Sequence, residues 1–332
     1  MNIAPLNEKG EIIDWWFAYK VPELHEKDKN GNPVVATGYE YVYYGANDSQ
    51  VVLSPHLLTG EEGAIKRTVN SILSCKDETT GYILYNDEMP KSVLDQGRKD
   101  SVSLGHTKGL IAFDTASQTA LWLLHSWPKF VDPLSAQMPA PNYGQTFICI
   151  ALTLDTANVI AEQMINHQEP QTYLNQIPAS LGQGSALYRL SEKLDPKAKG
   201  DSDVIECVSR AGLPFKVIAK NKKWNDDFWN DLVGDVLKDN MYVETWIRGK
   251  VASSQDSDGK DEVSDIKKVD LNPVAPYSWS ETEDHAKWGI TQNKNYVCVG
   301  DINRMISQRK RGGGTIAFEN QILWSFLKGI ES

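Results

Sequence analysis

The sequence predicts a mixed α/β fold of the α+β kind, arranged as a pseudo-two-fold sandwich of two central mixed β-sheets flanked by helices. Three observations predict it. Aromatic and β-branched runs of strand length recur through both halves of the 332-residue chain, and helix-period segments accompany them in each half. A histidine, one spacer and a lysine are written twice, in GHTKGLI (105–111) and DHAKWGI (284–290), 179 positions apart. Strands and helices mixed in both halves define the fold class. Duplication of one half explains the spacing, and the expected division is residues 1–165 and 166–332, with the two copies meeting at a central seam as equivalent surfaces meet at a dimer axis.

The elements follow in order. Strands are expected at IIDWWFAYKV (12–21), YEYVYYG (39–45), GYILYND (81–87), SVSLGHTKGLIAFD (101–114), TALWLLHS (119–126) and GQTFICIALTL (144–154), several of which alternate apolar and polar residues. A helix follows, TANVIAEQMINHQ, with Asp155 as its cap and with Ile160 and Met164, then Ala161 and Ile165, stacked at i,i+4. In the second half LPFKVIAK (213–220), YVETWIRG (242–249) and NYVCVGD (295–301) are strands and NDDFWNDLVGDVLKD (225–239) is an amphipathic helix. The closing helix, ENQILWSFLKGI (319–330), places Ile322, Leu323, Phe326 and Leu327 along one side. The polar stretch ASSQDSDGKDEVSD (252–265) reads as an exposed loop outside the chemistry.

Composition excludes several classes. At 332 residues and 41% hydrophobic the chain buries its own core. No apolar run reaches the length of a membrane span, and MNIAPLNEKGEIIDWW has neither a basic nor an apolar leader region, so neither a span nor a signal peptide is expected and the compartment stays open. Cys75, Cys149, Cys207 and Cys298 are scattered and lack zinc spacing, so free thiols are expected and no metal or cofactor is. A net charge of −10 argues against a general polyanion binder. A locally basic cleft on an acidic body remains compatible with it, and mild acid would reduce the repulsion.

In an extended strand, residues i and i+2 share a face, so His106 and Lys108 point together, as do His285 and Lys287. Two imidazoles and two ammonium groups gathered at one seam are costly unless an anion occupies the space, and a phosphodiester fits. One histidine attacks phosphorus to give a phosphohistidine, and the other protonates the departing alkoxide. The lysines stabilise the non-bridging oxygens without requiring a metal. The second copy is followed by CVGDINR (298–304) and QRKRGGGTIAF (308–318). Asn303 is a candidate for a phosphoryl oxygen or a ring nitrogen, the glycines 312–314 form an amide nest around Gly313, and Thr315 follows it. Arg304, Arg309, Lys310 and Arg311 make the local basic patch. In the first half LLHSWPKF (123–130) takes the corresponding place, with His125 and Ser126 lining the seam opposite Asn303. Trp224, Trp229 and Trp246 are potential base-stacking residues, but core packing is the favoured reading for each.

Taken in order, DWWFAYKVPE, GHTKG, LLHSWPKF, YGQTFICIAL, DHAKW, CVGDINR and GGGTIAF resemble the deoxyribonuclease II family of acid endonucleases, from about residue 12 to residue 318. The resemblance implies the phospholipase D-like fold and metal-independent cleavage of DNA, double-stranded in the first instance, to 3′-phosphate and 5′-hydroxyl ends in mild acid. Carried over by motif, the catalytic residues are His106, Lys108, His285 and Lys287, with Asn303 in support. His106 is taken as nucleophile and His285 as general acid, the reverse order being the alternative. The sequence departs from the broader superfamily at Asp114, one residue late, and at Gln292, where an acid is expected. An orienting carboxylate is therefore sought elsewhere, with Asp301 or Glu319 as candidates. A homodimer is a possible assembly. The competing readings are a phosphodiesterase acting on lipid or small diesters, which calls for an apolar groove, and an inactive DNA-binding relative.

Overall fold

Strands form where β-branched and aromatic residues run, because a pleated strand buries alternate side chains on opposite faces. The computed structural model describes all residues except 28–30, 102, 135–137, 193–200, 248–262 and 332. The first half contains β1 (Trp15–Lys20), the hairpin β2 (Glu23–Lys27) and β3 (Pro33–Thr37), β4 (Tyr41–Gly45), β5 (Val52–Leu53), α1 (Ala64–Leu73), β6 (Thr80–Asn86) and α2 (Lys91–Leu94). It continues through β7 (Lys108–Asp114), β8 (Thr119–His125), β9 (Gln145–Thr153), α3 (Leu154–Gln163) with a π-helical extension over Met164–Gln168, β10 (Thr172–Gln176) and α4 (Ala186–Ser191). The second half contains β11 (Ser202–Val208), β12 (Pro214–Lys220), a π-helical segment Phe228–Gly234 leading into α5 (Asp235–Leu237), β13 (Met241–Thr245) and β14 (Val263–Asp265). The hairpin β15 (Lys268–Asp270) and β16 (Ser278–Ser280) precedes β17 (Lys287–Thr291), β18 (Tyr296–Gly300), β19 (Gly313–Glu319) and α6 (Gln321–Ile330).

The two main sheets have matching strand orders. The first runs β10-β6-β7-β8-β9-β1-β4-β5 and the second, read from its other edge, β14-β13-β17-β18-β19-β12-β11. Each H-x-K lysine opens the third strand, β7 or β17. The registers make the equivalence residue by residue: Lys20 lies opposite Gln145 and Lys220 opposite Gly313, while His125 pairs with Phe147 and Gly300 with Thr315. The first sheet takes in β10, so the chain passes from one sheet to the other between Gln176 and Ser202.

The sheets pack face to face. Alternation sends Trp15, Phe17 and Tyr19 of β1 and Ile148, Ile150 and Leu152 of β9 into one core with Val217, Trp288, Val299 and Phe318 of the second sheet. The Trp15 and Phe318 rings meet edge to face at 5.1 Å. Trp16, Ala18, Phe147 and Cys149 point the other way, onto Ile65, Val69 and Ile72 of α1. Burying each large apolar side chain contributes roughly 1.5–3 kcal/mol, so the shared layer holds the halves together.

Several expectations are corrected. The first sheet is antiparallel throughout, and only the β13–β14 pair makes the second one mixed; tight hairpins join β7 to β8, β11 to β12 and β17 to β18. Thr153, not Asp155, caps α3, its hydroxyl accepting from Thr156 N–H at 3.1 Å. Ile322 of α6 is exposed, and the buried stripe is Leu323, Leu327 and Ile330. Residues 252–262 of the expected polar loop lie outside the described residues, whereas Val263–Asp265 form the edge strand β14. The four cysteines are free. Among the described residues no helix is long and apolar enough to cross a membrane.

Candidate active site

The H-x-K histidines sit just before β7 and β17, and each is held by the other half. His106 N–H donates to Gly312 O at 2.8 Å, and His285 N–H donates to Gly144 O at 2.9 Å. Both glycines precede equivalent strands, β19 and β9. They permit a close approach: a Cβ on Gly312 would come within 2.3 Å of the Gln168 carbonyl oxygen, and one on Gly144 within 2.6 Å of the Asp284 carboxylate. The counterpart of RGGG is therefore YGQT, and not LLHSWPKF. The registers instead align Ser126 with Asp301, whose N–H groups donate to the equivalent carbonyls of Thr146 and Gly314.

His106 lies in a polar nest. Its Nδ1 is 2.6 Å from the backbone oxygen of Asp301. A carbonyl only accepts, so Nδ1 carries the proton and Nε2 keeps its lone pair. Nε2 lies 3.8 Å from Asp87, which also takes a hydrogen bond from Lys108 Nζ and an ion pair from Arg311 at 3.0 Å. Burial would raise the Asp87 carboxyl, but Lys108, His106 and Arg311 outweigh it and hold the group well below the usual carboxylate range. Burial and then Lys108 push His106 well below an ordinary histidine.

His285 lies between aromatic rings. Tyr143 stacks on it at 3.8 Å and 6°, and Trp246 tilts against it at 4.5 Å. Its Nε2 has no hydrogen-bond partner among the described residues. Burial, then Lys287 and Lys108, lowers its pKa to about 3. Lys287 donates to the His285 carbonyl at 2.5 Å, and burial followed by Lys108 lowers this lysine to about 7. Both lysines thus act on both imidazoles. The fold brings together the four residues that the sequence placed in two halves.

The supporting candidates divide. Arg311 reaches the site, its guanidinium also holding the Leu104 and Gly105 carbonyls at 3.0 and 2.9 Å. Asp301 orients His106 through its backbone oxygen, while its buried carboxyl is pushed up to about 8. Asn303 is buried, with its Oδ1 unpartnered among the described residues. Gly313 packs on Ile302, and Thr315 is enclosed within β19 against Gly300. Arg304 is corrected outright: it is buried in ion pairs with Asp227 at 3.0 Å and Asp265 at 2.8 Å, so its charge is already matched. Glu319 is exposed at the far end of the seven-residue β19, roughly 20 Å from Gly313, too far to orient either ring. His125 is a core residue between Phe130 and Phe147, accepting from Trp127 N–H at 3.2 Å, with a pKa lowered to about 3 by burial. Ser126 donates to Gln145 Oε1 at 2.5 Å within the same core. Trp229 is buried and Trp224 packs against the same outer cluster, whereas Trp246 belongs to the site.

Sequence reasoning missed Asp87 and Tyr143 as site residues and named Trp246 only as a potential base-stacking residue, with core packing favoured. Asp87 follows the β6 residue Asn86, which pairs with Lys108, and Trp246 follows Thr245, which pairs with Lys287. A register argument across those strands would have found both. Tyr143 was detectable only as the neighbour of Gly144.

The Deoxyribonuclease II family profile matches residues 4–331. A putative deoxyribonuclease-2 of Burkholderia thailandensis is 53% identical over 328 residues, covering 98% of this chain and 92% of that protein. Deoxyribonuclease-2 of Caenorhabditis elegans is 30% identical, covering 96% and 90%, and mouse deoxyribonuclease-2-alpha is 26% identical, covering 97% and 90%. Among solved structures, yeast tyrosyl-DNA phosphodiesterase aligns with a TM-score of 0.35 at 8% identity, over 73% of this chain and 83% of that one. The profile spans nearly the whole length, both H-x-K elements included, and the chain belongs to the deoxyribonuclease II family, a deoxyribonuclease and hence a phosphodiesterase by reaction class.

Proposed function

We propose that the protein is a metal-independent endonuclease that hydrolyses double-stranded DNA through a phosphohistidine at His106, with an acidic pH preference. The observation that carries the assignment is the Nδ1 contact of His106 to the Asp301 carbonyl, which leaves Nε2 as the free nucleophilic nitrogen. Nε2 attacks phosphorus, the P–O5′ bond breaks, and His285 delivers its proton to the 5′-oxygen. Lys108 and Lys287 hold the non-bridging oxygens, the phosphate displacing Asp87 from Lys108. Water then attacks the phosphohistidine, His285 takes its proton, and the N–P bond breaks, leaving 3′-phosphate and 5′-hydroxyl ends.

A groove that carries Arg98, Lys99, Ser101 and Ser103, with one acid, Glu192, and the apolar Met89 and Pro170 also in its wall, reaches Leu104 next to the first H-x-K; its net basic, hydroxyl-bearing lining supports a polyanion over a lipid. The more apolar groove, around Cys207, Phe215 and Tyr296, is at the Glu319 end of β19 and includes none of the four residues. The test is DNA labelled with ³²P at internal phosphates, incubated in excess EDTA and quenched in alkali, which preserves a phosphohistidine. Label on the peptide bearing His106, together with 3′-phosphate ends, is the expected result. Loss of cleavage in EDTA, or 5′-phosphate ends, overturns the proposal.

The pH profile follows from the lowered His285. A general acid near 3 in the free protein is more fully protonated as pH falls, so kcat/KM rises from pH 7 toward about 3. Bound phosphate favours the imidazolium, so the corresponding limb of kcat lies at higher pH. Steady-state rates on an oligonucleotide duplex between pH 3 and 8 check both statements. A kcat/KM that is level below pH 6 contradicts them.

A further inference from the structure

Two buried lysines outside the H-x-K pairs occupy equivalent places in the two sheets. Lys20 ends β1 and Lys220 ends β12, and both are 0% exposed. Lys20 Nζ donates to three carbonyls, Val21 at 3.0 Å, Pro141 at 2.8 Å and Tyr143 at 2.7 Å. Lys220 Nζ donates to Gln308 at 2.8 Å, Arg309 at 2.8 Å and Arg311 at 2.5 Å. Each ammonium therefore spends all three of its N–H groups on backbone oxygens.

The carbonyls they grip are placed alike. Tyr143 and Arg311 each immediately precede the glycine, Gly144 or Gly312, that receives a histidine N–H from the opposite half. The side chains of the gripped residues also touch the site, Tyr143 stacking on His285 and Arg311 holding Asp87 and the Gly105 carbonyl beside His106. A buried cation is expensive unless its donors are matched, and a methylene chain in the same place would fill the volume without fixing three carbonyls. The same costly arrangement at two sites, about 200 residues apart in sequence, marks a shared task.

We infer that Lys20 and Lys220 are positioning residues, each clamping the loop that holds the histidine of the other half: Lys20 sets His285 through Tyr143–Gly144, and Lys220 sets His106 through Arg311–Gly312. The clamps act crosswise, so each half depends on its neighbour for the placement of its own imidazole. A displacement of an ångström at a reacting group costs roughly 100-fold in rate. The catalytic part of this inference rests on the roles proposed above for the two histidines; the structural part does not.

The test uses the full chain with Lys20→Met and Lys220→Met. Backbone hydrogen exchange reads the clamp directly: Lys20→Met accelerates exchange at His285 and leaves His106 protected, and Lys220→Met does the reverse. Acceleration spread evenly over both sheets, or none at either histidine, overturns the inference. Turnover then separates the roles, with thymidine 3′-(p-nitrophenyl phosphate) as the second substrate. Its leaving group departs without a proton, so in the first step, phosphoenzyme formation followed in a single turnover, a displaced general acid slows DNA cleavage alone; the later hydrolysis of the phosphohistidine is common to both substrates. Lys20→Met is expected to lose roughly 100-fold in the single-turnover rate of leaving-group release on DNA and under tenfold on the ester, and Lys220→Met about equally on both. The ratio of the two activities does not depend on the folded fraction, so partial misfolding leaves the test intact. His285→Ala is the reference. If it shows no preference for the ester, the acid role fails, and the exchange result still decides the clamps.

Discussion

His106→Ala is expected to abolish DNA cleavage, with kcat falling by at least roughly 10⁴-fold while KM stays within a few-fold. On the proposed mechanism, removing the imidazole removes Nε2, which is unprotonated because the ring's proton sits on Nδ1 at the Asp301 carbonyl, and with it the atom that forms the covalent intermediate. A loss of that size corresponds to about 5.4 kcal/mol of transition-state stabilisation. Phosphate binding should persist, because Lys108, Lys287 and Arg311 remain. The His285→Ala loss is smaller, roughly 10²–10⁴-fold, since water can protonate the 5′-oxygen slowly. Single-turnover nicking of supercoiled plasmid in EDTA measures both, and more than 1% residual rate for His106→Ala would remove it as nucleophile.

Arg304→Met is expected to act on stability and to spare turnover. The guanidinium is enclosed, and its Nε and Nη1 are bonded to Asp227 and Asp265 across three segments, the Asp227 turn, β14 and the loop after β18. Deleting one partner of a buried pair strands the others, at a cost of about 3–5 kcal/mol. Burial already raises the Asp227 carboxyl, and without Arg304 it rises further. A group with a raised folded pKa binds its proton more readily when folded, so the deficit is smallest in acid and grows as pH climbs through the carboxylate range. Urea unfolding at pH 4.5 and 7 should show the larger loss at pH 7. Folded protein should keep kcat and KM within a few-fold of wild type. A tenfold rise in KM with unchanged stability would return Arg304 to the phosphate site.

Glu319 and Asp301 illustrate how a sequence can supply the right residue types and the wrong partners. Both follow the second H-x-K in the sequence, but a strand carries Glu319 to the opposite end of the sheet. Asp301 contributes a backbone oxygen, which no side-chain pattern records. Asp87, meanwhile, sits 21 positions before Lys108 and is joined to it only because β6 and β7 pair with Asn86 beside Lys108.

The sequence by itself determined the main strands, the terminal helix, the family and the two H-x-K pairs, because period-2 alternation and short motifs are local properties that neighbouring residues express together. Only the tertiary structure decided that Gly312 holds His106 and Gly144 holds His285, that one ring lies among charges and the other among aromatics, and that Arg304 is sealed in ion pairs. These contacts join residues far apart along the chain. They depend on strand register and on how two sheets face one another, which the burial of a shared core fixes and no local pattern encodes.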